Sequence, residues 1–140
     1  MANTTIKGIA HLALTVRDME KSLDFYCRVL GFEKAFTTDR DGKPWIVYLK
    51  AGESQFFELF YPDKDVPDYT LKSTNNHVCL EVEDIFELEK ALDEKGWPID
   101  VRPKQGKDTN WQLWVKDPDG NRIELMQYAP GCPQLEAIKK

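Results

Sequence analysis

A chain of 140 residues, 41% hydrophobic and 31% charged, is long enough for one globular domain with a sizeable core. A net charge of −5 without any basic cluster argues against nucleic acid as a partner. No apolar run approaches a membrane span and the opening Met-Ala-Asn-Thr-Thr carries no secretory pattern, so no membrane is expected and the cytoplasm is the expected compartment.

Residues 6–16, IKGIAHLALTV, alternate as a strand does, with Leu12, Leu14 and Val16 on one side and His11, Ala13 and Thr15 on the other. Asp18 then reads as the N-cap of a helix to about Leu30. Met19, Leu23, Tyr26 and Leu30 form its apolar stripe, and Gly31 its stop. A strand near 32–37, an Asp-Gly turn at 41–42 and strands at 45–50 and 55–61 complete a β-α-β-β-β module. In the last strand Phe56, Glu58 and Phe60 share one side, Phe57 and Leu59 the other. A glutamate in the middle of such a strand is costly to bury unless a cation or hydrogen-bond donors meet it.

Residues 62–76 are polar, contain two prolines and read as a linker. A second module follows. Its first strand, 77–82, has His77, Cys79 and Glu81 on one side. Asp84 caps a helix, with Glu87 placed to complete a capping box. Ile85, Leu88, Leu92 and Lys95 lie along one side of that helix, which stops at Gly96. A strand near 97–101, a polar loop at 102–110, and strands at 111–116 and 121–128 joined by Asp117-Pro118-Asp119-Gly120 complete the module. The tail, 129–140, carries little signal. The whole is read as a single domain over 1–140, with module one at about 6–61 and module two at about 77–128. Cys27, Cys79 and Cys132 are odd in number and widely spaced, which predicts free thiols.

The two modules are copies. HLALTV at 11–16 lies over HVCLEV at 77–82, and WIVYLKAGESQFFEL at 45–59 over WQLWVKDPDGNRIEL at 111–125. His11 and Glu58 stand 47 residues apart, as do His77 and Glu124, and the pairs are offset by 66. His11 and His77 are the only two histidines. One strand histidine or one glutamate alone is ordinarily structural. A quartet placed symmetrically by a repeat points instead to a metal site. Two such modules set edge to edge are expected to form a curved, barrel-like mixed sheet, with helices outside and four polar side chains in front. Two imidazoles and two carboxylates suit a borderline divalent ion such as Ni²⁺, Zn²⁺, Co²⁺ or Mn²⁺, and an octahedral ion would keep two positions open for Lewis-acid chemistry.

Other residues carry a bland and a functional reading side by side. Cys79 shares the side of His77 but reads first as a small buried thiol. Trp45, Trp111 and Trp114 are wall residues of a cleft or core residues. Arg102, Lys104 and Lys107 read as a solvated basic loop, with recognition of an anionic substrate as the alternative.

With HLALTVRDMEKSLDFYCRVLGF, HVCLEVEDI and VKDPDGNRIELMQ, the chain resembles the vicinal oxygen chelate superfamily (the glyoxalase, bleomycin resistance and dioxygenase group), and within it glyoxalase I, from about residue 6 to 128. The resemblance implies an α+β fold of paired βαβββ modules, a small-molecule substrate and a homodimer. By motif, His11, Glu58, His77 and Glu124 are the ligands of one divalent ion per site, with Ni²⁺ first and Zn²⁺ or Co²⁺ next. It also implies a lyase or isomerase of lactoylglutathione lyase type, acting on the hemithioacetal of methylglyoxal through an enediolate. Glu124 would be the base and Glu58 its counterpart for the other face. Glutathione-dependent members generally carry arginine at position 15, here Thr15, and an aromatic-glycine pair where Asn75 and Asn76 stand. The metal set is thus implied more firmly than glutathione as the thiol. The alternatives are a metal-dependent epimerase and a non-catalytic small-molecule binding or resistance module.

Overall fold

The computed structural model describes residues 8–62 and 76–139, and the chain divides into two units, Met1–Asp68 and Tyr69–Lys140. Residues 63–75 of the expected linker, Asn75 among them, lie outside the described residues. Among the described residues no helix is long and apolar enough to cross a membrane.

The first unit runs β1 (His11–Thr15), α1 (Met19–Leu23), a π-helical continuation (Asp24–Val29), β2 (Glu33–Arg40), β3 (Lys43–Lys50) and β4 (Phe56–Phe60). Its sheet order is β1-β4-β3-β2, with β1 parallel to β4 and the other pairs antiparallel. The Asp18 carboxylate accepts from the Lys21 amide at 3.1 Å, which starts the helix as the sequence predicts. Gly31, at φ 83°, ends it, and the Phe32 amide returns to the Tyr26 carbonyl at 2.8 Å.

The buried side of that helix is Met19, Ser22, Phe25, Tyr26 and Val29, whereas Leu23 and Leu30 of the expected stripe are only half-buried. The Leu30 amide bonds to the Phe25 carbonyl at 2.9 Å, five residues back. A π turn advances each residue by less than an α turn, so a stripe read at a strict 3.6-residue period drifts off the buried side. Tyr26 and Phe32 meet Phe57 of β4 at ring-centroid distances of 5.4 and 5.2 Å, which fastens helix to sheet. The β2–β3 hairpin turns at Asp41 and Gly42, both at positive φ (55° and 74°), the geometry that favours Asp-Gly.

The second unit repeats the plan as β5 (Val78–Glu81), α2 (Ile85–Glu94), β6 (Val101–Gln105), β7 (Trp111–Lys116) and β8 (Arg122–Gln127), in the order β5-β8-β7-β6, and adds α3 (Pro133–Ile138). At the start of α2 the Asp84 carboxylate accepts from the amides of Phe86 and Glu87 at 3.0 and 3.1 Å. The Ile85 amide is met by the Gln127 side chain of β8 at 2.8 Å, so a residue 42 positions away supplies part of the cap.

Two local expectations are corrected. The strand placed near 97–101 lies instead at Val101–Gln105, where Lys104 pairs with Gln112 and Gln105 with Trp111. Arg102 and Lys104 therefore sit on a strand, and only 106–110 is loop. The tail, given no structure from sequence, forms α3, which is tethered through Asn110. That side chain is 1% exposed; its amide donates to Asp108 at 3.1 Å and to Gln134 at 3.0 Å, and its oxygen accepts from the Ala129 amide at 2.8 Å.

Asn110→Ala should lower unfolding free energy by about 2–3 kcal/mol, because it strands several part-buried polar partners at once; denaturant titration measures this. The Asp108 carboxyl is held below its ordinary value, first by the Gln134 side chain. With the folded value below the unfolded one, that contribution is complete above the ordinary carboxylate range and is lost as pH falls through the folded value. Amide protection in α3 should thus decline in acid before that of β7 and β8, as hydrogen exchange would report.

Candidate metal centre

In the first unit the register of the parallel pair builds the contact. Ala13 lies opposite Glu58 and His11 opposite Phe56, so the imidazole starts one diagonal step from the carboxylate on the same side of the sheet. His11 Nε2 reaches Glu58 Oε2 at 3.1 Å, with side-chain exposures of 50% and 14%. Across the sheet the row runs Phe36, Tyr48, Glu58, Ala13, and the Phe36 and Tyr48 rings stack at 4.2 Å. Thr15 faces the same side, opposite Phe60, so the position where glutathione-dependent relatives would place an arginine carries a short hydroxyl.

The second unit keeps the register. Cys79 lies opposite Glu124, and His77, just before β5, brings Nε2 to 3.0 Å from Glu124 Oε2. The row here is Val101, Trp114, Glu124, Cys79. Surroundings differ, however. His77 Nδ1 lies 2.6 Å from Asn76 Oδ1, the Trp114 ring meets the imidazole at 4.7 Å, and the Arg122 guanidinium lies 4.5 Å above Trp114. Glu124 is buried, at 7% exposure. Cys79 is an exposed residue, yet partial desolvation of its thiol, then the charge and hydrogen bond of Glu124, push it up to about 12. It is therefore a thiol at neutral pH.

Among the described residues no three His, Cys, Asp or Glu side chains converge, so each unit by itself offers two donors. Those donors fit a cation. Atoms 3.0–3.1 Å apart that each bind one ion at about 2.1 Å subtend roughly 90–95°, the cis angle of an octahedral ion. An imidazole nitrogen with a carboxylate oxygen is also the donor chemistry of borderline divalent metals.

The remaining candidates separate. Trp114 is on the side of Glu124, whereas Trp111 is on the helix side and packs edge-on against Phe86 of α2 at 5.0 Å. Trp45 meets Phe60 at 5.7 Å and lies under the Arg40 guanidinium at 4.6 Å. Arg102 is engaged by Asp93, at 2.9 and 3.1 Å, and by Glu89 at 3.1 Å, so its guanidinium is paired with carboxylates of α2. Its guanidinium holds the Asp93 carboxyl below the usual range. Lys104 and Lys107 are exposed, and all three cysteines are free. The contact of Asn76 with His77 was not read from the sequence; its signal was Asn76 standing where the first copy has Ala10.

The family model described as Glyoxalase/Bleomycin resistance protein/Dioxygenase superfamily matches residues 8–125. Lactoylglutathione lyase of Neisseria meningitidis is 32% identical over 130 residues, covering 88% of this chain and 92% of that protein. Metallothiol transferase FosB of Bacillus licheniformis is 30% identical over 133 residues, covering 89% and 78%. Among solved structures, a member of the same superfamily from Sphaerobacter thermophilus superposes with a TM-score of 0.73 at 29% identity, covering 89% of this chain and 99% of that one. With its two βαβββ units and a His–Glu pair at the same register in each, the chain belongs to the glyoxalase/bleomycin resistance/dioxygenase superfamily.

Proposed function

We propose that this protein is a divalent-metal-dependent lyase or isomerase of glyoxalase I type, acting on a hemithioacetal or similar vicinal-oxygen substrate through an enediolate. His11, Glu58, His77 and Glu124 are the proposed ligands of one ion, drawn from one chain or from two. Ni²⁺ is the favoured metal, ahead of Zn²⁺ or Co²⁺, and a cytoplasmic homodimer is part of the same reading. The observation that supports it best is the recurrence of a His–Glu contact at 3.1 and 3.0 Å at equivalent register positions of the two units. When bound, the ion supplies Lewis acidity that stabilises negative charge on two adjacent substrate oxygens. Glu124 carries the proton between neighbouring carbons, and Glu58 takes that role for the opposite side of the substrate. Strands on both sides of each glutamate hold its carboxylate in place, which keeps the proton's donor and acceptor positions fixed. The relation to a metallothiol transferase favours a second reading, metallothiol transfer.

Chelator-stripped protein titrated with Ni²⁺ and with Zn²⁺ should take up close to one ion per chain. Glu58→Ala and Glu124→Ala should each weaken binding by about tenfold or more, since even outer-shell changes cost 10–100-fold at metal sites. Binding indifferent to both substitutions would sink the metalloenzyme reading. The loaded protein, offered methylglyoxal with glutathione and with other small thiols in D₂O, should form a thioester and lose that activity in Glu124→Ala. Deuterium entering recovered substrate without thioester would indicate an epimerase. Consumption of thiol on an electrophile that has no aldehyde would indicate thiol transfer.

A further inference from the structure

Two arginines of this chain fork onto carboxylates: Arg28 onto Asp24 at 2.6 and 2.9 Å, and Arg102 onto Asp93 at 2.9 and 3.1 Å. Arg122 does not. It stands two residues before Glu124 on β8, on the same side of the sheet, it is exposed, and among the described residues no carboxylate is paired with it. Its guanidinium lies 4.5 Å above the Trp114 ring, and its Nη1 donates to Asn76 Oδ1 at 3.5 Å, the outer limit of a hydrogen bond. Both of these partners also touch His77, the Trp114 ring at 4.7 Å and Asn76 Oδ1 at 2.6 Å from Nδ1. Trp114 is itself held, its indole N–H donating to Gln112 at 2.7 Å. The guanidinium is thereby fixed beside the His77–Glu124 pair with most of its N–H donors unused. Lys116, opposite it in the ladder, is turned to Asp100 at 3.6 Å. The position equivalent to Arg122 in the first unit is Phe56, so this cation belongs to the second unit alone.

Such a placement has an electrostatic consequence. Glu124 is a buried carboxylate, and a substrate that brings another anionic group beside it meets like-charge repulsion. A guanidinium resting on an indole answers that charge and offers the planar fork that fits two carboxylate oxygens. Its single charge also matches a carboxylate, where a phosphate dianion would need a second cation. We infer that Arg122, seated on Trp114, is a specificity-determining residue that binds a carboxylate carried by the substrate. The substrate is then an acid rather than a neutral compound. That the acid is a hemithioacetal rests on the proposed function; the affinity of Arg122 for a carboxylate does not.

Mercaptoacetate and 3-mercaptopropionate, each set against its neutral amide, separate charge from shape. Their hemithioacetals with methylglyoxal, given to Ni²⁺-loaded protein, should show kcat/KM about tenfold higher for at least one acid than for its amide. Arg122→Gln should abolish that preference by slowing the acid alone. Arg122→Lys, which keeps the charge without the fork, should restore it in part. Equal rates for acids and amides in the parent, a preference that survives Arg122→Gln, or equal slowing of both in that variant overturns the inference. Equal slowing is the mark of an arginine that only props Asn76 and Trp114. If no hemithioacetal turns over, side-chain ¹H–¹⁵N NMR of chelator-stripped protein decides the matter. Arg122 resonances that shift with the free acids and not with the amides uphold its role and overturn the glyoxalase reading. No turnover and no acid-selective shift overturn both.

Discussion

The chemistry proposed for this protein depends on one carboxylate in the last strand of each unit, part-buried at Glu58 and buried at Glu124. Glu58 and Glu124 stand between residues that carry the core: Phe57 and Leu59 in one strand, Ile123 and Leu125 in the other, all at most 5% exposed. Strand residues alternate sides, so packing those neighbours against the helix turns the glutamate to the opposite side. A one-residue slip would exchange them and expose two large apolar side chains, at roughly 1.5–3 kcal/mol each. The parallel register with β1 or β5 then fixes which residue the carboxylate meets. The His–Glu contact is thus a consequence of how the core packs, which explains why both units reproduce it within 0.1 Å, at 3.1 and 3.0 Å.

The copies have kept these four residues and changed what surrounds them. Opposite Glu58 stands Ala13, opposite Glu124 Cys79; beside them stand Tyr48 and Trp114, then Phe36 and Val101. Phe56 in the first unit is replaced by the cation Arg122 in the second. The first unit's pair is therefore bordered by stacked aromatic rings, and the second unit's by an indole, a guanidinium and an amide.

Much of this was legible in the sequence, and the reasons are local. Leu12, Leu14 and Val16 against His11, Ala13 and Thr15 is a period-two pattern whose apolar side has only one place to go. Asp18, Asp84, Gly31 and Gly96 announce helix ends through their own backbone chemistry, and Asp41-Gly42 its hairpin. What escaped depends on contacts distant in sequence or on departures from ideal periods. The π turn at the end of the first helix rotated its buried stripe onto Phe25 and Val29. Pairing with β7 made strand of Arg102–Gln105, a stretch whose proline and charges read as loop, and α2 supplied Glu89 and Asp93 to bind Arg102. Gln127 capping α2 and Asn110 tethering α3 bridge 42 and 24 residues respectively. Trp111 and Trp114 were not separable by composition, yet three positions along one strand put them on opposite sides.

Cys79 shows how the donor pair of the second unit remains one of nitrogen and oxygen. It lies directly across from Glu124, close enough for a hydrogen bond, and a thiolate there would be a third and softer donor that draws the set toward zinc and other thiophilic metals. The carboxylate prevents this in the protein's own field. Partial desolvation disfavours a thiolate, and so does the like charge of Glu124, so the sulfur retains its proton and donates it to the carboxylate. A bound cation would weaken that effect by neutralising Glu124. Before any cation arrives, however, the buried carboxylate has two nearby side chains to answer its charge, the His77 imidazole and the Cys79 thiol, where Glu58 has only His11 among the described residues. The more deeply buried of the two glutamates is thus the one with the fuller set of partners, as the cost of desolvating a charge requires.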